Sequence, residues 1–156
     1  MGRLAPAILI FVLVAAVSAV GGGVTQGGMD WYRTLVLPSI TPPGGVIGLV
    51  WTVIYILGGI AAYLIWQRRD GSPAFSWIIA LLIANAILNT LWTWLFFGIH
   101  WMGVSVLEML LLNLTNLAIM VLCWNRVRAA SLLFVPYFAW VCFATYLAAT
   151  IWVLNS

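Results

Sequence analysis

Charge is scarce in this 156-residue chain: 6% of its residues are charged, against roughly 25% in soluble domains. Three are acidic, Asp30, Asp70 and Glu108, and the basic side chains are six arginines scattered singly or in pairs. No continuous basic stripe exists for a nucleic acid to follow, so the net charge of +3 excludes that partner class. The one histidine, His100, stands in a short link with no second histidine or cysteine nearby, which leaves no metal cluster in the sequence. The two cysteines, Cys123 and Cys142, fall at different depths of their helices and read as unpaired small hydrophobes. Neither a P-loop, a dinucleotide fingerprint nor a Ser/His/Asp constellation occurs, which excludes ordinary hydrolytic and nucleotide-driven chemistry.

What the chain has in abundance is apolar surface, 65% of its residues. A water-soluble fold of this size cannot hide that much. The uncharged runs are about as long as a bilayer core requires, roughly 20 helical residues. Five spans follow, at about 4–24, 46–66, 74–99, 101–124 and 129–154, with a long loop over 25–45. The fold class is therefore an all-α integral membrane protein, a single five-transmembrane-helix bundle over 1–156. Glycines 21–23, 27 and 28, the run Arg68-Arg69-Asp70-Gly71-Ser72-Pro73, Gly98 with Gly103, and Asn125-Arg126-Val127-Arg128 mark the links. Short links make sequential helices antiparallel neighbours. The first span also resembles a signal peptide, ending in Val17-Ser18-Ala19, but it exceeds an h-region in length and reads as a retained helix.

Arg3, Arg68, Arg69, Arg126 and Arg128 fall on one side of the spans and Arg33 alone on the other, which predicts a cytoplasmic N-terminus. Trp66, Trp77, Trp101, Trp124 and Trp152 lie near span ends, where the headgroup zone accounts for them.

The remaining tryptophans ask for more. Trp51, Tyr55, Asn89, Trp92, Ala144 and Ala148 fall roughly 6 to 14 Å below the side that carries Arg33. Helical spacing groups Trp51 with Tyr55, Asn85 with Asn89, Trp92 and Phe96, and Tyr137 with Trp140, Ala144 and Ala148. Flat aromatics beside alanines and amides suit a pocket for a planar, mostly apolar ligand. The same stripes also suit plain bundle packing, with alanine admitting a neighbour and asparagine bonding across an interface. The loop over 25–45 contains Trp31, Tyr32 and three prolines and reads either as an ordered lid or as an interfacial anchor. Glu108 is the only acid inside a span, a functional candidate unless it snorkels or is protonated.

Four stretches carry a resemblance. They are Trp31-Tyr32 with Leu35, Pro38 and Ser39; Thr41-Pro42-Pro43-Gly44 running into Ile47-Gly48 and Val50-Trp51-Thr52; Asn89-Thr90-Leu91-Trp92 with Phe96-Phe97-Gly98; and Val135-Pro136-Tyr137 with Trp140, Phe143-Ala144-Thr145 and Asn155. In order and spacing the chain resembles the tryptophan-rich sensory protein family, also called the translocator protein or peripheral benzodiazepine receptor family, and looks like a bacterial member. The resemblance implies a five-helix bundle in a bacterial cell membrane, a homodimer, and a pocket under loop one for porphyrins, haem, sterols and benzodiazepine-like ligands. Its lining would include Tyr32, Trp51, Asn89, Trp140, Ala144 and Leu147, with Trp31 in the lid. Asn85, Trp92, Tyr137 and Ala148 join that set from the stripes above.

Departures from the family are visible. Leu37 and Ile40 stand where relatives commonly carry lysine and tryptophan, and Trp94 replaces a frequent proline that would kink span three. Ala149 and Val153 occupy the positions of the tyrosine and basic residue of the animal sterol element, which weakens the case for cholesterol. The resemblance leaves a tetrapyrrole-binding sensor or translocator, with protoporphyrin IX or haem as ligand and no obligatory cofactor, beside an enzyme that degrades protoporphyrin IX with light and oxygen. In the second case Trp51 and Trp140 would exchange electrons with the pigment. A channel is disfavoured because charged lining residues are nearly absent.

Overall fold

The computed structural model describes residues 4–156, so Arg3 lies outside the described residues. Its order is α1 (Leu4–Tyr32), α2 (Gly44–Gln67), α3 (Pro73–Thr93) continued by a π-helical turn (Trp94–Gly98), α4 (Met102–Trp124), the short α5 (Arg128–Leu133) and α6 (Val135–Leu154). With α3 and its π turn as one unit and α5 with α6 as another, five segments are long and apolar enough to cross a membrane. The five-span expectation is met, and helices, which satisfy most of their backbone groups internally, are what a bilayer demands.

Local chemistry sets several boundaries. Ser72 caps α3 by accepting from the Phe75 amide at 3.2 Å, and Pro73 follows where a missing N–H costs nothing. Asp70 accepts from the Ser72 amide at 2.9 Å and pairs with Arg126 at 3.1 Å, tying the α2–α3 link to the α4–α5 link. The Ser72 hydrogen bonds, and after them Arg126, hold the Asp70 carboxyl below the usual carboxylate range. Pro136 supplies no N–H to the carbonyl one turn back, and the last span breaks at Phe134 into α5 and α6.

Three expectations need correction. The segment from 25 to 32 is helix, not loop, so loop one shrinks to residues 33–43 and Trp31 and Tyr32 end a helix. At 29 residues and about 1.5 Å each, α1 extends roughly 43 Å, past a hydrocarbon core of about 30 Å. Within α1, Gly21 and Gly28, taken as turn markers, serve contact instead. A Cβ on Gly28 would lie 2.4 Å from the Phe97 carbonyl oxygen, so only glycine lets α1 lie against the π turn. Cys142, expected to be buried, faces outward, while Cys123 is buried.

Core packing lies between α3, α4 and α6, where Ile78, Met109, Leu112, Ile119 and Val141 are almost wholly enclosed. Trp77, Trp101, Trp124 and Trp152 face outward near helix ends, as the headgroup reading expects. Trp94, without the family's proline, opens the π turn, whose closing bond runs from the Ile99 amide to the Trp94 carbonyl at 3.0 Å.

Gly28→Ala is expected to destabilise the bundle by about 1 to 3 kcal/mol, the range for overpacking. Gly23→Ala, whose Cβ meets nothing within 4 Å, is the matched control and should be neutral or better. Thermal melts in mild detergent compare them, and parent-like melting of Gly28→Ala would remove the close approach from the account.

Candidate functional site

Toward the end that carries loop one, α1, α2, α3 with its π turn, and α6 enclose a cavity of about 550 Å³, within the range of small-molecule sites. Trp51 and Thr52 wall it from α2, Trp92, Phe96 and Phe97 from α3 and the π turn, and Trp140, Phe143, Ala144, Leu147 and Ala148 from α6. Glycines 21, 22, 44 and 48 line it as well, so slender backbone stands among the aromatic plates. Tyr32 and Arg33 stand at the mouth, where Arg33 is held at 2.8 Å by Asp30 with both side chains largely exposed.

Polar groups gather at the floor. Asn89 accepts from the Tyr55 hydroxyl at 2.7 Å and donates to the Tyr137 hydroxyl at 2.8 Å, so one amide joins α2, α3 and α6. The Trp51 ring lies 5.7 Å from that of Tyr55 and 6.2 Å from that of Tyr137. Trp92 and Trp140 both line the cavity, and their indole N–H groups are buried without a protein acceptor. The arrangement offers aromatic faces and one basic mouth residue.

Tyr32, Trp51, Asn89, Trp92, Trp140, Ala144, Leu147 and Ala148 are therefore brought to one cavity, while three other candidates lie off it. Asn85 sits one helical turn beyond Asn89, about 6 Å deeper, and donates to Thr115 and Asn116 of α4 at 2.9 Å each. Tyr137 lies under the floor and, with Asn85, lines a second cavity. Trp31 packs outside, stacked on His100 at 3.9 Å between ring centroids and edge-on to Phe96 at 5.6 Å. His100, read as a plain solvated link residue, holds a left-handed backbone with φ 60° and clasps the end of α1. Glu108 is 5% exposed and lines neither cavity, which removes snorkelling as its explanation.

One contact had no local sequence signal. Asn155, just past α6, accepts from the Val36 amide at 2.9 Å and donates to the Val36 carbonyl at 3.0 Å. Its amide imitates a strand partner and pins loop one to the end of the last helix. Only the family motif had singled out Asn155.

A five-helix membrane bundle with a ligand-sized aromatic cavity beneath a pinned loop is the class that fold and site define. Residues 8–153 match the TspO/MBR family model. The chain is 30% identical over 148 residues to the tryptophan-rich protein TspO of Bacillus cereus, covering 95% of each chain. It is 34% identical over 145 residues to protein CrtK of Rhodobacter capsulatus, with 93% of this chain and 89% of the relative covered. It is also 32% identical over 126 residues to the human translocator protein, with 80% and 75% covered. This chain belongs to the TspO/MBR family, as its motifs implied, and is an integral membrane protein.

Asn155→Ala removes both bonds to loop one, each worth about 0.5 to 1.5 kcal/mol. Limited proteolysis within residues 33–43 is expected to accelerate several-fold while the melting temperature falls little. Parent-like cleavage would mean that the clamp does not hold the loop.

Proposed function

We propose that the protein is a membrane tetrapyrrole-binding sensor or translocator whose ligand, protoporphyrin IX or haem, occupies the cavity under loop one. The observation that carries this reading is a cavity in which broad indole faces, Trp51, Trp92 and Trp140, alternate with slender positions such as Gly48 and Ala144, each about one helical turn from an indole. A porphyrin is a wide aromatic plate with two carboxylates and requires such a slot with a polar exit. Arg33 at the mouth suits a carboxylate, in exchange for its exposed partner Asp30. Membership of the TspO/MBR family supports the ligand class that the motif resemblance implied.

Ala144→Phe should fill the slot and weaken protoporphyrin binding by about 1 to 3 kcal/mol, roughly five- to a hundredfold. Fluorescence titration of the pigment against purified protein measures it. Unchanged affinity, with the fold intact by circular dichroism, would move the ligand elsewhere.

A second reading, light- and oxygen-dependent degradation of the bound pigment, is favoured by the neighbouring oxidisable rings of Trp51, Tyr55 and Tyr137. Here Trp51 or Trp140 is a one-electron donor to the excited pigment and dioxygen is the oxidant. Trp51→Phe keeps an aromatic face and should retain most binding while slowing aerobic photodegradation against a dark control. Degradation at the parent rate would remove Trp51 from that role.

The arginine asymmetry supports a cytoplasmic N-terminus, with the cavity mouth on the opposite side. Arg68, Arg69, Arg126 and Arg128 lie at one end of the bundle and Arg33 at the other. A reporter inserted at Gly71 should stay inside and one fused after Ser156 should be exported; the reverse pattern would invert the orientation.

A further inference from the structure

A second cavity, of about 540 Å³, occupies the half of the bundle away from loop one. The first half of α1 covers it only loosely: among the described residues none before Gly21 in this helix is buried, with Phe11 the side chain that meets α2, at Gly59. Leu9 and Leu13 of α1 and Ile83 of α3 line it yet remain 59%, 56% and 58% exposed. Its side opening therefore faces the bilayer, and hydrocarbon is the medium that reaches it. From Ala5 to Val17, the limits of the α1 wall, the helical rise gives about 18 Å, close to one leaflet of a core about 30 Å thick.

Polar chemistry is confined to its two ends. At the deep end, the amide nitrogen of Asn85 and the hydroxyl of Tyr137 are already engaged within the protein. At the other end Trp66 lines the cavity, and the Arg69 guanidinium lies 5.1 Å from the centroid of its ring. Arg68 and Arg69 are exposed, and neither has an acidic partner among the described residues, whereas Arg126 nearby is taken by Asp70. A hydrocarbon slot about one leaflet deep, with the Arg69 guanidinium over the Trp66 ring at its end and Arg68 next to it in sequence, has the complementarity of an anionic amphiphile.

We propose that this cavity is a lipid site, taking one acyl chain of an anionic phospholipid whose phosphate is held by Arg68 and Arg69 beside Trp66. The site is separate from the tetrapyrrole cavity; Tyr55 and Asn89 form their common wall. The occupant is a component of the surrounding membrane and does not pass through the loop-one mouth.

Gly58→Leu is the decisive variant. Gly58 lines the slot, an added Cβ meets nothing within 4 Å, and leucine is the better helix former. Purified protein in mild detergent is incubated with equal amounts of phosphatidylglycerol and phosphatidylcholine and weighed by native mass spectrometry. The full-length wild type should retain a single phosphatidylglycerol, preferred at least about fivefold. Gly58→Leu should lose it while keeping its helical spectrum and the parent's protoporphyrin affinity. The double variant Arg68→Gln, Arg69→Gln should still bind lipid but without headgroup preference. Excess inorganic phosphate should not displace the lipid; displacement would make this a phosphate site and overturn the proposal. Equal retention by Gly58→Leu, or no retained lipid in the wild type, would also overturn it. Because the readout is lipid mass, failure of the tetrapyrrole reading leaves this test intact.

Discussion

The Asn89 amide is the interaction on which the rest of the bundle depends. In lipid no water waits to take up a polar group that loses its partner. Asn89 uses its oxygen for Tyr55 and its nitrogen for Tyr137, so three helices meet at fixed depth and rotation. That register puts Trp51, Trp92 and Trp140 around one space. One turn deeper, Asn85 repeats the device toward α4. The two asparagines divide the interior into an aromatic chamber and an aliphatic one.

Against that rigid centre, α1 is the loosely held element. Among the described residues its buried positions are Gly21 and Gly28, both toward the loop-one end, Gly21 against the Thr93 and Tyr55 side chains and Gly28 against the Phe97 carbonyl. Interlocking side chains give way here to close approach of small residues, the mode that membranes favour. The π turn completes the seat, because its extra residue brings Phe96 and Phe97 into the aromatic chamber. Trp31 on His100 then closes the corner from outside.

Span number was legible because hydropathy is a bulk property of each segment, and no packing detail alters it. The shared cavity of Trp51, Asn89, Trp140 and Ala144 was legible from helical spacing and depth together. Asn85 was misplaced because a stripe reports a face and not how far down it a ligand reaches. The glycines of α1 were misread because the same residue that ends a helix in water permits contact in a bilayer. Trp31 with His100, and Asn155 with Val36, join residues far apart in the chain and have no local pattern to betray them.

The Asn155 clamp has a temporal consequence. Its partner Val36 lies 119 residues earlier, so at synthesis rates of about 5 to 20 residues per second roughly 6 to 24 s separate them on the ribosome. Over that interval α2, and then α3 with its π turn, join α1 around the aromatic chamber, while its α6 wall and the amide that fastens its cover come last. The nascent bundle is consequently open-mouthed until its last turn emerges, and hydrophobic molecules in the bilayer have their widest access to the chamber before the chain is finished.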